Sequence, residues 1–218
     1  MNSGLRVGFC VSGQGRLFRA AVLQAKAIGI RPSLLVAEHK TSAEVEHFCA
    51  EHKVPFVRLG KMPRPEFDRR LMEHCTGHEL DLLSLTFDRI LPPDLIQHYA
   101  RRVINVHPAL LPAFPGMDGL GQSERAGVRY AGATIHLADE QVDHGPIIAQ
   151  CVLGLRRGDT AASAGDRLFP HLRIMFLQVL AWFAERRVEF DEQGRVWIKD
   201  AVYGETPISP AVELELAD

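Results

Sequence analysis

Short apolar runs alternate with longer segments of helical period along the first half of the chain. Leu5–Val11 (LRVGFCV) is apolar apart from Arg6 and predicts a buried strand, broken at Ser12-Gly13-Gln14-Gly15. From Arg16 to Ile28 the spacing of Leu17, Ala20, Val22, Leu23, Ala25 and Ala27 predicts a helix, with Gly29 placed to end it. The same reading gives a strand at Ser33–Ala37, a helix over Ser42–His52 and a strand at Val54–Val57. A helix opened by Pro65 and running to His74 follows, then a strand at Leu80–Leu85, a short helix at Pro93–Tyr99 and a strand at Arg102–Val106.

Strands that are apolar throughout and separated by helices belong in a parallel sheet covered by helices on both faces. In such sheets, ligands bind beyond the carboxyl ends of the strands. Gly13 and Gly15, then Thr86-Phe87-Asp88-Arg89, then Asn105 and His107 all fall at those ends, which locates a candidate site from pattern alone.

The second half has another character. Pro108, Pro112 and Pro115 with Gly116 impose a stiff irregular loop. Thr134–Ala138 and Pro146–Leu153 predict two strands around a polar turn at Asp139–Gly145. Thr160–Arg187 is the longest predicted helix, with Leu168, Leu172, Met175, Phe176, Val179, Leu180 and Phe183 as its apolar stripe. A small hairpin is expected around Asp191-Glu192-Gln193-Gly194, and a poorly ordered tail after Pro207. The expected division is a domain over 1–200 and a tail over 201–218.

Composition then narrows the partners. Across 218 residues, 25 Lys and Arg nearly balance 27 Asp and Glu. No excess positive charge is available for a nucleic-acid backbone or an anionic membrane. The 46% hydrophobic content contains no run long enough to span a bilayer. Cys10, Cys49, Cys75 and Cys151 form no C-x-x-C pair and the histidines no H-E-x-x-H motif, so neither a metal nor a disulfide framework is expected. A cytoplasmic protein with reduced thiols, working as a monomer or homodimer, is the expectation.

Three groups carry candidate chemistry. The Ser12–Gly15 turn can present backbone N–H groups and Arg16 to an anion, or simply turn the chain from strand to helix. Asn105 and His107 fall on one side of a strand, about 7 Å apart along it. An amide beside an imidazole is an oxyanion-stabilising pair. Asp143 either serves its turn or, within reach of His107, favours the charged imidazole. The other histidines read as surface or core residues.

Asn105-Val106-His107-Pro108-Ala109-Leu110-Leu111-Pro112-Ala113-Phe114-Pro115-Gly116, Gly132-Ala133-Thr134-Ile135-His136 and Val142-Asp143-His144-Gly145-Pro146-Ile147-Ile148 together resemble the folate-dependent formyltransferase family, over about residues 5–200. The branch most similar is that of glycinamide ribonucleotide transformylase (phosphoribosylglycinamide formyltransferase). The resemblance implies a Rossmann-like formyltransferase fold with a mixed C-terminal extension, and 10-formyltetrahydrofolate as formyl donor. It places Asn105, His107 and Asp143 on the catalytic triad. Phe87, Arg89, Ile90 and Leu91 match the pterin-binding segment, and Ala138, Asp139, Glu140, Gln141 and Val142, up to Asp143, the folate loop. Gly13, Gln14, Gly15, Arg16, Thr86, Asp88 and Pro108 fall on the acceptor side.

The acceptor side departs from that branch. Its Ser-Gly-Asn-Gly-Ser-Asn loop is here Ser12-Gly13-Gln14-Gly15-Arg16-Leu17, its ribose-binding Glu aligns with Leu172, its Met with Asp88, and its Thr-His after Pro-Gly is missing at Met117-Asp118-Gly119. These changes favour a small-molecule amine other than glycinamide ribonucleotide, such as an amino sugar or amino-acid derivative. The alternatives are glycinamide ribonucleotide itself, hydrolysis of formyltetrahydrofolate, and a non-catalytic folate-binding module. The length and charge of the chain are not those expected of a tRNA formyltransferase with its basic extra domain.

Overall fold

The computed structural model describes residues 4–215. The chain forms two compact units, 1–105 and 106–218.

The first unit holds five strands: β1 Leu5–Val11, β2 Ile30–Glu38, β3 Phe56–Leu59, β4 Leu82–Thr86 and β5 Val103–His107, whose last two residues belong to the second unit. They lie in the order β5-β4-β1-β2-β3, and every neighbouring pair is parallel. The helices between them are α1 Arg16–Leu23, α2 Ala43–Glu51, α3 Arg64–Thr76 and α4 Pro93–His98. The chain steps outward from β1 to β3, then returns to place β4 on the other side of β1. Right-handed crossovers put the helices of these two excursions on opposite faces. The reversal of strand order lies between β1 and β4, and the carboxyl ends of those strands flank it.

Most expected elements appear, with shifted ends. β2 starts three residues earlier than expected and includes Pro32. Pro32 has no N–H to donate, and the β1–β2 register slips there, from Val7 opposite Pro32 to Gly8 opposite Leu34. Helix α1 stops at Leu23 rather than Ile28. Its buried face is Leu17, Phe18 and Ala21; the next position on that stripe is Gln24, and Leu23 is exposed. Phe18 meets Phe9 and Phe48 edge-on, at ring separations of 5.2 and 6.0 Å, and helps fill the core on that face. Ser42 caps α2 by accepting the Glu44 N–H.

The second unit contains α5 Gly119–Arg125, β6 Tyr130–Leu137, β7 Ile147–Gly154, α6 Ala161–Ala184, β8 Val188–Phe190, β9 Val196–Ile198 and β10 Ile208–Ser209. Strands β6, β7 and β10 form antiparallel pairs, and β8–β9 is the expected hairpin. Helix α5 has no sequence signature, since two of its seven residues are glycines. Gly119 is needed for space, since a Cβ there would stand 2.8 Å from the Pro108 carbonyl oxygen. Helix α6 is capped by Thr160 and Ser163 reciprocally, and contains Pro170. Its second half is buried nearly all round, Trp182 and Gln178 included, rather than on one stripe; Leu172 and Phe183 are only half-buried.

The tail after Pro207 is ordered, contrary to expectation. Ile208 and Ser209 pair with Cys151 and Gln150, Arg187 forms an ion pair with Glu213, and buried Gln178 accepts the N–H groups of Glu213 and Leu214. A glutamine this deep needs partners, and the tail supplies them. Residues 216–218 of the expected tail lie outside the described residues.

Candidate active site

In the second unit, the end of β5 delivers His107 into a nearly closed environment, with only 4% of its side chain exposed. Its Nε2 lies 2.9 Å from the Phe114 carbonyl oxygen, and its Nδ1 lies 3.3 Å from Asp143 Oδ2. Both partners are acceptors, so both contacts are made together only by the doubly protonated ring. The Pro108–Gly116 loop returns Phe114 to the imidazole and Gly116 to Asp143, where the Gly116 N–H donates to Asp143 Oδ2 at 2.7 Å. Gly119 closes the other side: a Cβ there would sit 3.2 Å from His107 Nε2 and 2.8 Å from the Pro108 carbonyl.

Asp143 reaches this position with φ of 58°, a conformation that Asp and Asn tolerate better than most residues. The turn around it is pinned by the Leu137 N–H to the Pro146 carbonyl at 2.9 Å and by the Gln141 N–H to Asp139 Oδ1. Gly145 lies so close to the Leu137 carbonyl that a Cβ would stand 1.8 Å from its oxygen, so the turn requires glycine for space. Ala138 is half-buried, while Asp139, Glu140, Gln141 and Val142 are exposed around the turn.

His136 is one of the histidines that the sequence pattern leaves as surface or core residues. It is buried, but its Nε2 faces Asp143 Oδ1 at 3.5 Å while its Nδ1 lies 2.9 Å from the Leu137 carbonyl. Burial pushes its pKa below the ordinary histidine value, against smaller opposing effects of the Leu137 carbonyl and Asp143. Asp143 thus stands between two imidazoles, those of His107 and His136. Strand alternation marks His136 as facing the same side as Thr134, but nothing local says that the turn brings Asp143 back to it.

In the first unit, the carboxyl ends of β1 and β4 are tied together. The Ser12 N–H donates to the Thr86 carbonyl, and the Asp88 N–H donates to Ser12 Oγ at 3.0 Å. Gly13 and Gly15 have φ of 70° and 60°, and Gly15 caps α1. Gln14 and Arg16 are exposed, whereas Leu17 is buried and adds no polar group to the loop. Phe87 stacks on Phe67, the Arg89 guanidinium lies over the Phe67 ring, and the Ile90 carbonyl accepts from Arg64. Leu91 is buried, and Ile90, Asp88 and Pro108 are exposed. Asn105 is half-buried on β5, two residues before His107.

The four cysteines are buried and unbridged. Burial pushes the thiols of Cys49 and Cys151 up to about 11. Such thiols stay protonated near neutrality and make poor nucleophiles. Among the described residues, no group of three His, Cys, Asp or Glu side chains is placed to hold a metal ion, and no helix is long and apolar enough to cross a membrane.

Residues 5–180 match the family model described as Formyl transferase. The chain belongs to the formyl transferase family. A phosphoribosylglycinamide formyltransferase of Bacillus subtilis is 37% identical to it over 162 residues, which cover 72% of this chain and 83% of that protein. The crystal structure of glycinamide ribonucleotide transformylase 1 from Symbiobacterium toebii matches with a TM-score of 0.84 at 28% identity, over 90% of this chain and 95% of that one. A formyltetrahydrofolate deformylase from Pseudomonas syringae pv. tomato shares the fold, with a TM-score of 0.84 at 22% identity, over 91% of this chain and 67% of that one. In this formyltransferase the Rossmann-like α/β fold with its mostly parallel sheet is the one the sequence resemblance implied.

Proposed function

We propose that this formyltransferase moves a formyl group from 10-formyltetrahydrofolate to the primary amine of glycinamide ribonucleotide. The observation that carries the reading is the buried His107–Asp143 pair, set by Phe114 and Gly116, in a chain most of whose length matches the family. The similarity to phosphoribosylglycinamide formyltransferases favours glycinamide ribonucleotide over the other amines that the altered acceptor residues suggested.

In this reading the amine attacks the formyl carbon and forms a tetrahedral intermediate with a developing oxyanion. Asn105 and the charged His107 stabilise it. Each well-placed donor is worth roughly 3 kcal/mol, or about a hundredfold in rate. His107 Nε2–H exchanges the Phe114 carbonyl for the oxyanion. Asp143 holds the imidazolium and passes protons, through water, from the amine towards N10 of the folate, which leaves as tetrahydrofolate. Segments 87–91 and 138–142 hold the donor. Gly13, Gln14, Gly15, Arg16, Thr86, Asp88 and Pro108 face the acceptor. No covalent enzyme intermediate is required.

One observation supports a second acceptor within the same chemistry: Leu17 is buried where the related enzymes carry a polar residue, which leaves Arg16 and backbone N–H groups to meet a phosphate. A single assay addresses both readings. Tetrahydrofolate formation is followed with 10-formyltetrahydrofolate and glycinamide ribonucleotide, with a panel of amino sugars and amino acids, and with no amine. Turnover only with glycinamide ribonucleotide supports the main reading, and turnover only with another amine supports the second. Formate release without amine would make the chain a hydrolase. No reaction at all overturns formyl transfer.

A further inference from the structure

The carboxylate of Glu38, the last residue of β2, is 2% exposed and has no part in the chemistry above. Such a group is costly to bury unless charges and hydrogen bonds face it. Its Oε2 accepts from Ser12 Oγ at 3.0 Å and lies 3.6 Å from Arg89 Nε. Its Oε1 lies 3.3 Å from His39 Nδ1 without hydrogen-bond geometry. Ser12 follows β1 directly and begins the glycine turn; Arg89 belongs to the segment after β4, and the same Ser12 Oγ accepts the Asp88 N–H. Thr41, just beyond Glu38, donates to the Val11 carbonyl, and Arg58 donates to the Thr41 carbonyl. One buried carboxylate therefore joins the carboxyl ends of β1, β2 and β4.

The two arms differ in kind. Towards Ser12 the carboxylate acts as a hydrogen-bond acceptor, which a neutral amide oxygen reproduces. Towards Arg89 it acts as a charge, at a separation too long for a hydrogen bond, which an amide does not reproduce. Arg89 is otherwise held over Phe67, which stacks on Phe87, so its position is coupled to the rest of segment 87–91.

We propose that Glu38 is a positioning residue for both substrates: its hydrogen bond to Ser12 sets the acceptor turn, and its charge sets Arg89 and the donor segment. This rests on the assignment of those two segments under Proposed function. The test compares wild type, Glu38→Gln and Glu38→Ala by steady-state kinetics and by calorimetric titration with 10-formyltetrahydrofolate in the absence of acceptor. Wild-type turnover with its acceptor comes first, and its failure concerns the proposed reaction rather than Glu38. Given that turnover, Glu38→Gln raises the donor Kd and KM about tenfold and leaves the acceptor KM within twofold. Glu38→Ala raises both KM values about tenfold, with a smaller fall in kcat. If the alanine variant does not fold, the near-isosteric glutamine variant carries the test alone. An unchanged donor Kd in Glu38→Gln, equal changes in both KM values of that variant, or a loss of thermal stability with both KM values intact overturns the proposal.

Discussion

Replacing Asp143 by Asn tests the site most directly, because the substitution keeps the shape and removes the charge. Asn accepts the φ of 58° found there, and its amide oxygen can still take the Gly116 N–H. The amide nitrogen must then face one of the two imidazoles. The Coulomb attraction being removed, for unit charges 3.3 Å apart at an effective dielectric near 20, is about 5 kcal/mol. Exchange of the carboxylate for an amide of the same shape keeps a hydrogen-bonding group opposite each ring. That exchange limits the stability loss to about 1–3 kcal/mol. With roughly 2–4 °C lost per kcal/mol in a chain of this size, a modest fall in Tm is expected. Catalysis has no such escape: the carboxylate that holds His107 towards the oxyanion is gone, and kcat falls by about 10²–10³. The assay is the initial rate of tetrahydrofolate formation at saturating substrates, with thermal denaturation of the same samples. A variant that retains more than a tenth of wild-type kcat would refute the role assigned to Asp143.

Other expectations follow from the same geometry. Gly145→Ala forces a Cβ into the Leu137 carbonyl, breaks the turn that carries Asp143, and is expected to cost about 3 kcal/mol or more of stability together with most activity; a wild-type denaturation midpoint would contradict this. Burial lowers the pKa of His136 in the folded state, so the unfolded chain binds more protons as the pH drops below about 6.5. His136 therefore lowers stability as pH falls through that window, and urea midpoints of His136→Gln should depend less steeply on pH there than those of wild type. The buried cysteines should resist a thiol-alkylating agent at pH 7 in the native state and react once the protein is unfolded; rapid native labelling with loss of activity would reverse the view that they take no part.

Much of the fold was legible because it rests on local regularities. Continuous apolar runs such as Leu5–Val11 identify strands buried on both faces, and their alternation with helices implies a parallel sheet with ligands at one end. Candidate residues could be placed at that end from the breaks alone. The misreadings have tertiary causes. Helix α5 holds Gly119 because the Pro108 backbone approaches it closely, and Glu213 and Leu214 are held by Gln178, a helix residue more than thirty positions away. Helix α6 carries no narrow stripe, since its second half is enclosed on all sides.

The sequence by itself determined the type and order of most of the elements, and a family resemblance that the comparisons bear out. Tertiary structure decided which side chains meet. That Asp143 lies between His107 and His136, and that Glu38 joins Ser12 to Arg89, depends on turns and strand neighbours separated by tens of residues. Local pattern records which face a residue prefers. It carries no information on which distant residue shares that face, because the pairing is set by chain topology and by the need of each buried charge for a partner.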